Sequence, residues 1–241
     1  MISLRHAFLF AKYRSSTMVR FPQFVDCLRL VSLASKSVTA SHGCVVECGT
    51  WKGGMSAAMM EVCGRYRDYY CFDSFKGLPP VTAEDGDLAR AWQHDVNGER
   101  FFDNCRASLE QFKSTVARSG VENSRIHIVQ GFFEKSLSSV VVPPILILRL
   151  DADWYQSTIV CLERFWDLVV TGGVIVIDDY HDWEGCRKAV HEFLARRKLN
   201  EAIEQTRFGR VVHIKKGVVS NAYARDLERR KGRLHFLGKS N

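Results

Sequence analysis

The sequence has no apolar run long enough to cross a bilayer. The longest, residues 140–148, is broken by Pro143-Pro144, whereas a span needs roughly 20 residues. Residues 1–10 mix an Arg and a His among their apolar side chains, with no small-residue cleavage site after them. No signal peptide is expected from that pattern. None of the eight cysteines forms a C-x-x-C pair or a paired Cys/His zinc spacing, which argues against a zinc module or a disulfide scaffold. Several lie in apolar, strand-like runs, where a thiol acts as a small hydrophobe. Reduced cysteines and a cytoplasmic location are the expectation. Internal repeats and low-complexity tracts are also absent. The formal charge of +7 is concentrated near the C-terminus, in residues 225–239 (RDLERRKGRLHFLGK). No aromatic-basic recognition module accompanies it, so a solvated tail is expected there rather than a nucleic-acid interface.

What is present is a regular alternation. Five short β-branched runs lack clean polar alternation, as strands buried on both faces do. They are Cys44–Cys48, residues 69–72 (YYCF), 126–129 (IHIV), Ile145–Leu150 and 174–177 (VIVI). Helical patterns occupy residues 56–66, 101–117, 157–169 and 185–198. Strands and helices in turn imply βαβ units and a mostly parallel sheet covered on both faces. Residues 203–206 and 211–215 are strand-like and separated by only four residues. That is too short for a parallel crossover, so the pair is antiparallel. The expected fold is therefore α/β and Rossmann-like, with seven strands and an antiparallel terminal pair. The expected organisation is a helical extension over 1–43, a main domain over 44–220 and a basic tail over 221–241. One connection, residues 74–125, is long enough to be a lid or binding loop, with the insertion at about 82–121. Its acidic patch Glu84-Asp85-Gly86-Asp87 lacks the spacing of a calcium loop and reads as a solvated turn.

The first strand runs into Glu47-Cys48-Gly49-Thr50-Trp51-Lys52-Gly53-Gly54. Glycines at a strand-to-helix turn let a ligand approach the backbone, and the helix start offers free N–H donors. A dinucleotide fingerprint, G-x-G-x-x-G, would need a second glycine where Trp51 stands. The looser E-x-G-x-x-x-G-G suits a ligand without phosphate, such as S-adenosylmethionine. Asp73, 24 residues after Gly49, ends the second strand, where an acid accepts hydrogen bonds from ribose hydroxyls. Gln130-Gly131 ends the third and would border an adenine. The cofactor-binding candidates are thus Glu47, Gly49, Thr50, Gly53, Gly54, Ser56, Asp73, Ser74, Gln130, Gly131 and Asp151.

The fourth and fifth strands each deliver a pair of acids, Asp151/Asp153 and Asp178/Asp179. Ligands in open α/β sheets bind at that edge. Two like charges about 4 Å apart repel by roughly 4 kcal/mol at an effective dielectric of 20. Protons on raised pKa values or a cation would relieve this, and hard oxygen donors suit magnesium, calcium or manganese. Catalysis on a hydroxyl also needs a base. Asp153 is one candidate and His181, beside the Asp pair, is the other.

The stretches VECGTWKGGMSAAM, FDSFKGLP, LRLDADWYQST and GGVIVIDDYHDWEGCRKAV resemble the macrocin O-methyltransferase family. Its members methylate sugar hydroxyls of macrolide and aminocoumarin antibiotics. The likeness covers about residues 45–193. It implies S-adenosylmethionine at Glu47–Ser56 and Asp73, magnesium (or manganese) on Asp151, Asp178 and Asp179, and Asp153 as general base. Residues 1–43 and the lid carry no matched motif, so the expected acceptor is a sugar, a glycan or a similar small molecule. Three other readings compete: a nucleic-acid methyltransferase, a nicotinamide-dependent oxidoreductase and a non-catalytic S-adenosylmethionine-binding protein. The first lacks a D/N-P-P-Y/F tetrapeptide, the second lacks the glycine fingerprint, and the third has no need of four acids. No nucleic-acid partner and no membrane span are expected, and a homo-oligomer is compatible with the sequence.

Overall fold

The computed structural model describes residues 3–36 and 43–219. The basic segment 225–239 lies outside the described residues. Seven strands form one sheet in the order β3-β2-β1-β4-β5-β7-β6. They are β1 (Cys44–Cys48), β2 (Tyr69–Asp73), β3 (Ile126–Gln130), β4 (Ile145–Leu150), β5 (Val169–Ile177), β6 (Glu201–Gln205) and β7 (Val212–Val219). The first five are parallel; β7 runs antiparallel to both β5 and β6. This is the expected architecture. The order reverses between β1 and β4, which opens a crevice at their C-terminal ends.

Alternation along the strands divides the core in two. Val45, Tyr69, Cys71 and Val176 pack against helices α1 (Leu4–Tyr13), α2 (Phe21–Lys36), α3 (Gly54–Cys63) and α6 (Leu109–Ala117). Val46, Phe72, Leu148 and Ile177 pack against α8 (Tyr155–Phe165) and α9 (Glu184–Arg196). Leu9, Tyr13, Phe24, Leu28 and Val31 of the first two helices are buried in that first cluster. Among the described residues, no helix is long and apolar enough to cross a membrane.

Two predicted helices differ. The one expected over 157–169 ends at Phe165, and β5 begins at Val169, where Val169-Val170-Thr171 favours extended backbone. The one expected over 101–117 is broken. Phe102 to Cys105, the short α5 (Phe102–Cys105), has φ between 49° and 58°, a left-handed turn that L-residues seldom adopt. A new helix then starts with a capping box, Ser108 with Gln111. That S-x-x-Q spacing was present in the sequence.

Candidate active site

The turn after β1 is held by the acid at the end of β2. Asp73 Oδ2 accepts hydrogen bonds from Thr50 N and Trp51 N, each at 2.8 Å, and its Oδ1 accepts from Phe75 N at 2.7 Å. Burial raises the Asp73 pKa, and these backbone donors oppose the rise. Asp73 thus shapes the loop while facing the cavity. The glycines are explained by the protein's own packing. A Cβ on Gly49 would lie 1.8 Å from Asp151 O, one on Gly53 2.8 Å from the Phe112 ring, and one on Gly54 2.5 Å from Ser16 O.

Below the loop lies a residue that the motifs did not single out. Arg149 is an inward side chain of β4, in register with Glu47 on β1, and is 1% exposed. Its Nη1 donates to Glu47 Oε1 at 2.8 Å. Its Nη2 stands 2.9 Å from Asp151 Oδ2 and 3.1 Å from Asp178 Oδ1. Ser56 Oγ donates to the other oxygen of Glu47. The signal for Arg149 was available, as a lone charge inside the apolar run ILILRL: long charged side chains are almost never fully buried unless paired.

Asp153 follows in a tight turn, with φ 55° and Trp154 N donating to Ala152 O at 2.6 Å. This is a γ-turn with a strained central residue, of the sort that clusters at active sites. Its N–H donates to Asp179 Oδ2 at 3.0 Å, and its Oδ1 accepts from Trp183 Nε1 at 2.8 Å. One oxygen each of Asp151, Asp153 and Asp179 lies within 4.8 Å of the others. Burial, reinforced by Asp151, pushes the Asp153 carboxyl up to about 8. Burial also raises Asp179 well above the carboxylate range, with Asp153, Asp151 and Asp178 adding to the rise. For Asp178, burial outweighs the help of Arg149 and gives about 6. One guanidinium among these acids leaves most of the repulsion unrelieved.

The connection between β2 and β3 lies over these groups. Asp85, expected in a solvated turn, is instead 1% exposed. Its Oδ1 accepts from Tyr155 N at 2.6 Å, and its Oδ2 accepts from Thr82 N and Oγ1. A residue of this connection therefore supplies the acceptor at the start of α8, whose own N-cap, Trp154, offers none. We expect Asp85→Ala to lower stability by about 1.5–3 kcal/mol, the scale for hydrogen bonds to a charged group, measured by urea unfolding. A loss below about 0.5 kcal/mol, the scale of a surface substitution, would show the connection held by other contacts. The left-handed turn docks beside it, with Leu78 N donating to Asn104 O and Asn104 Nδ2 to Leu78 O. Helix α4 (Gly86–His94) brings Trp92 to within 5.9 Å of Trp154 and 5.7 Å of Trp183, which are 5.1 Å apart, ring centre to ring centre.

The resulting cavity, of about 510 Å³, brings together Gly49, Asp73, Ser74, Gly131, Asp151, Asp153, Asp178 and Asp179 from the expected set. Glu47, Thr50, Gly53, Gly54, Ser56 and Gln130 do not line it, although the first five build the loop or the Arg149 cluster beneath. His181 is exposed and off the cavity, its ring against Tyr180 at 5.1 Å. Sequence reading missed the contributions of Met18, Gln23, Trp92 and Trp183: the first three come from the N-terminal segment and the β2–β3 connection, which follow no fixed spacing to the strand-end motifs, whereas Trp183 lies within the motif after β5 and could have been found there.

A sheet of this order, with a shaped glycine loop at its switch point and an acid-lined cleft beside it, defines a Rossmann-like fold of the methyltransferase type. The chain belongs to the macrocin-O-methyltransferase (TylF) family, whose model matches residues 16–213. That range extends the likeness beyond the four motifs at both ends. The chain is 31% identical over 168 residues to the 8-demethyl-8-(2,3-dimethoxy-alpha-L-rhamnosyl)-tetracenomycin-C 4'-O-methyltransferase of Streptomyces olivaceus, covering 68% of this chain and 62% of that protein. It is 28% identical over 166 residues to the mycinamicin III 3''-O-methyltransferase of Micromonospora griseorubida, covering 67% and 64% respectively. The matched stretch is therefore under two thirds of either relative's length. The solved O-methyltransferase NovP shares the fold, with a TM-score of 0.67 at 23% identity over 79% of each chain.

Proposed function

We propose that the protein is an S-adenosylmethionine-dependent, divalent-cation-assisted O-methyltransferase of the cytoplasm, acting on a hydroxyl of a sugar, glycan or similar small molecule. The observation that carries this reading is that one cavity is lined both by the loop residues Gly49 and Asp73 and by the acids Asp151, Asp153, Asp178 and Asp179. S-adenosylmethionine supplies an electrophilic methyl group and has no phosphate for the acids to repel. Asp73 and Gly131 are the residues to hold its ribose and adenine. The carboxylates fit a hard divalent cation: their donors are all oxygen, one oxygen each of Asp151, Asp153 and Asp179 converges, and the ionised forms of Asp153 and Asp179 are disfavoured without one. Asp151 and Asp179 would hold magnesium or manganese; Asp178, the third expected ligand, lies outside the converging trio and would reach the ion only through the oxygen turned away from Arg149. A bound cation of this kind lowers the pKa of a hydroxyl beside it. Asp153 takes the hydroxyl proton on Oδ2, because Oδ1 is engaged by Trp183.

A sugar-like acceptor is favoured by the wall of the site. The Trp92 and Trp183 rings line the cavity beside Asp153. Flat apolar faces next to carboxylates suit a ring with C–H faces and hydroxyl edges. The same carboxylates repel a phosphodiester backbone, which speaks against nucleic acid. Mass spectrometry of methyl transfer to a glycoside panel, with S-adenosylmethionine and magnesium, tests the reading. Generic RNA and DNA form the second arm, and methylation confined to that arm would overturn it.

The cation carries its own expectation. Without one, folded Asp153 and Asp178 keep protons up to about pH 8 and 6, whereas the unfolded chain releases them near 4. The unfolded chain then binds fewer protons, so stability falls as pH rises from about 4 to 8. A cation that replaces those protons binds better as pH rises. Excess magnesium should therefore raise Tm more at pH 8 than at pH 6, with EDTA as the reference. An equal or absent shift at both pH values would remove the cation from the site.

A further inference from the structure

Arg149 occupies a position that strand alternation assigns to the core. Its neighbours in register are Glu47 on β1 and Val176 on β5. Apolar residues in place of the whole cluster would often be no less stable, because desolvating buried ions offsets much of their Coulombic gain. What the guanidinium does is connect. At one end, Glu47 takes its Nη1 hydrogen bond and also accepts from Ser56, in the first turn of α3 directly after the cofactor loop. At the other end, its Nη2 meets one oxygen of Asp151 and one of Asp178. Each of those two carboxylates thus keeps one oxygen for other partners. The planar fork reaches all three acids at once, one nitrogen hydrogen-bonded to Glu47 and the other in ion-pair contact with Asp151 and Asp178, which a compact ammonium cannot do.

We infer that Arg149 is a positioning residue that couples the cofactor loop to the cation site. A cofactor that holds the loop fixes Ser56 and Glu47, Glu47 fixes the fork, and the fork aims Asp151 and Asp178. The inference rests on the proposed reading, in which those two sites bind S-adenosylmethionine and a divalent cation. Such coupling is reciprocal, and it is measurable without turnover. Calorimetry on the full chain would titrate S-adenosylhomocysteine in EDTA and in saturating Mn²⁺, and Mn²⁺ with and without S-adenosylhomocysteine. In the wild type each ligand should tighten the other by on the order of tenfold. Arg149→Lys keeps the charge and loses the fork. It should weaken Mn²⁺ by about 10–100-fold, as loss of a ligand's supporting partner does, and bring the coupling below about twofold. Glu47→Gln cuts the link at its other end and should also abolish the coupling, which covers the case of Arg149→Lys failing to fold. Coupling that survives in either folded variant overturns the inference, as does a wild type that binds both ligands independently. A wild type that binds neither ligand brings down the proposed function itself, a distinct result.

Discussion

Asp153→Asn should lower kcat by about 10²–10⁴, the range for general-base assistance, with S-adenosylhomocysteine affinity near that of the wild type. The substitution is chosen for what it preserves. Asn tolerates a left-handed backbone better than most residues, so the turn at φ 55° survives. Its amide oxygen still accepts from Trp183 Nε1, and its N–H still reaches Asp179 Oδ2. What is lost is the carboxylate's charge and with it the capacity to take a proton. The sequence left His181 as the rival base, but that side chain is exposed and off the cavity, so His181→Ala should stay within about threefold of wild type, well short of the loss of a base. Steady-state kinetics on both variants decides the matter. Normal turnover by Asp153→Asn together with a dead His181→Ala would reverse the assignment.

The fold was legible because strand period and strand-end chemistry are local. Ile145–Leu150 and Cys44–Cys48 are found where the apolar runs put them, and the short gap between the last two strands dictated antiparallel pairing. Likewise, acids at two strand ends can be brought together by neighbouring parallel strands alone, and β4 lies beside β5. Three things were hidden. The partner of Glu47 is 102 positions away, and register, not motif, joins them. Asp85 looked solvated because its acidic neighbours are polar, yet its acceptor role is defined by the N-terminus of α8, seventy residues on. The break at Phe102–Cys105 falls on weak helix formers, of which Asp and Asn tolerate a left-handed backbone, and the tertiary contact of Asn104 with Leu78 holds it. The glycine loop was located. Ligand approach was the expectation; close contact between chain segments is a second demand on the same glycines, and the two differ in what they predict.

That difference makes Gly49→Ala the sharpest stability test. At φ 86° an L-residue is strained, and the new Cβ would also lie 1.8 Å from the Asp151 carbonyl oxygen. That oxygen belongs to backbone at the end of β4, which cannot rotate away as a side chain would. The end of β1 is pinned to β4 by Asp151 N donating to Cys48 O at 2.9 Å and to β2 by Gly49 N donating to Phe72 O at 2.8 Å, so relief would break ladder bonds. We expect a loss above about 4 kcal/mol, the exceptional class of single substitutions, read by urea unfolding. Gly64→Ala isolates the contact from the strain. Gly64 also has positive φ, 99°, but nothing lies within 4 Å of its added Cβ, so it should lose only about 1–3 kcal/mol, the cost of a disfavoured backbone alone. The excess of the first loss over the second measures how tightly the cofactor loop and the acid-bearing strand are pressed together. If Gly49→Ala proves no worse than Gly64→Ala and still weakens S-adenosylhomocysteine, the glycine is kept for the ligand and not for the strand.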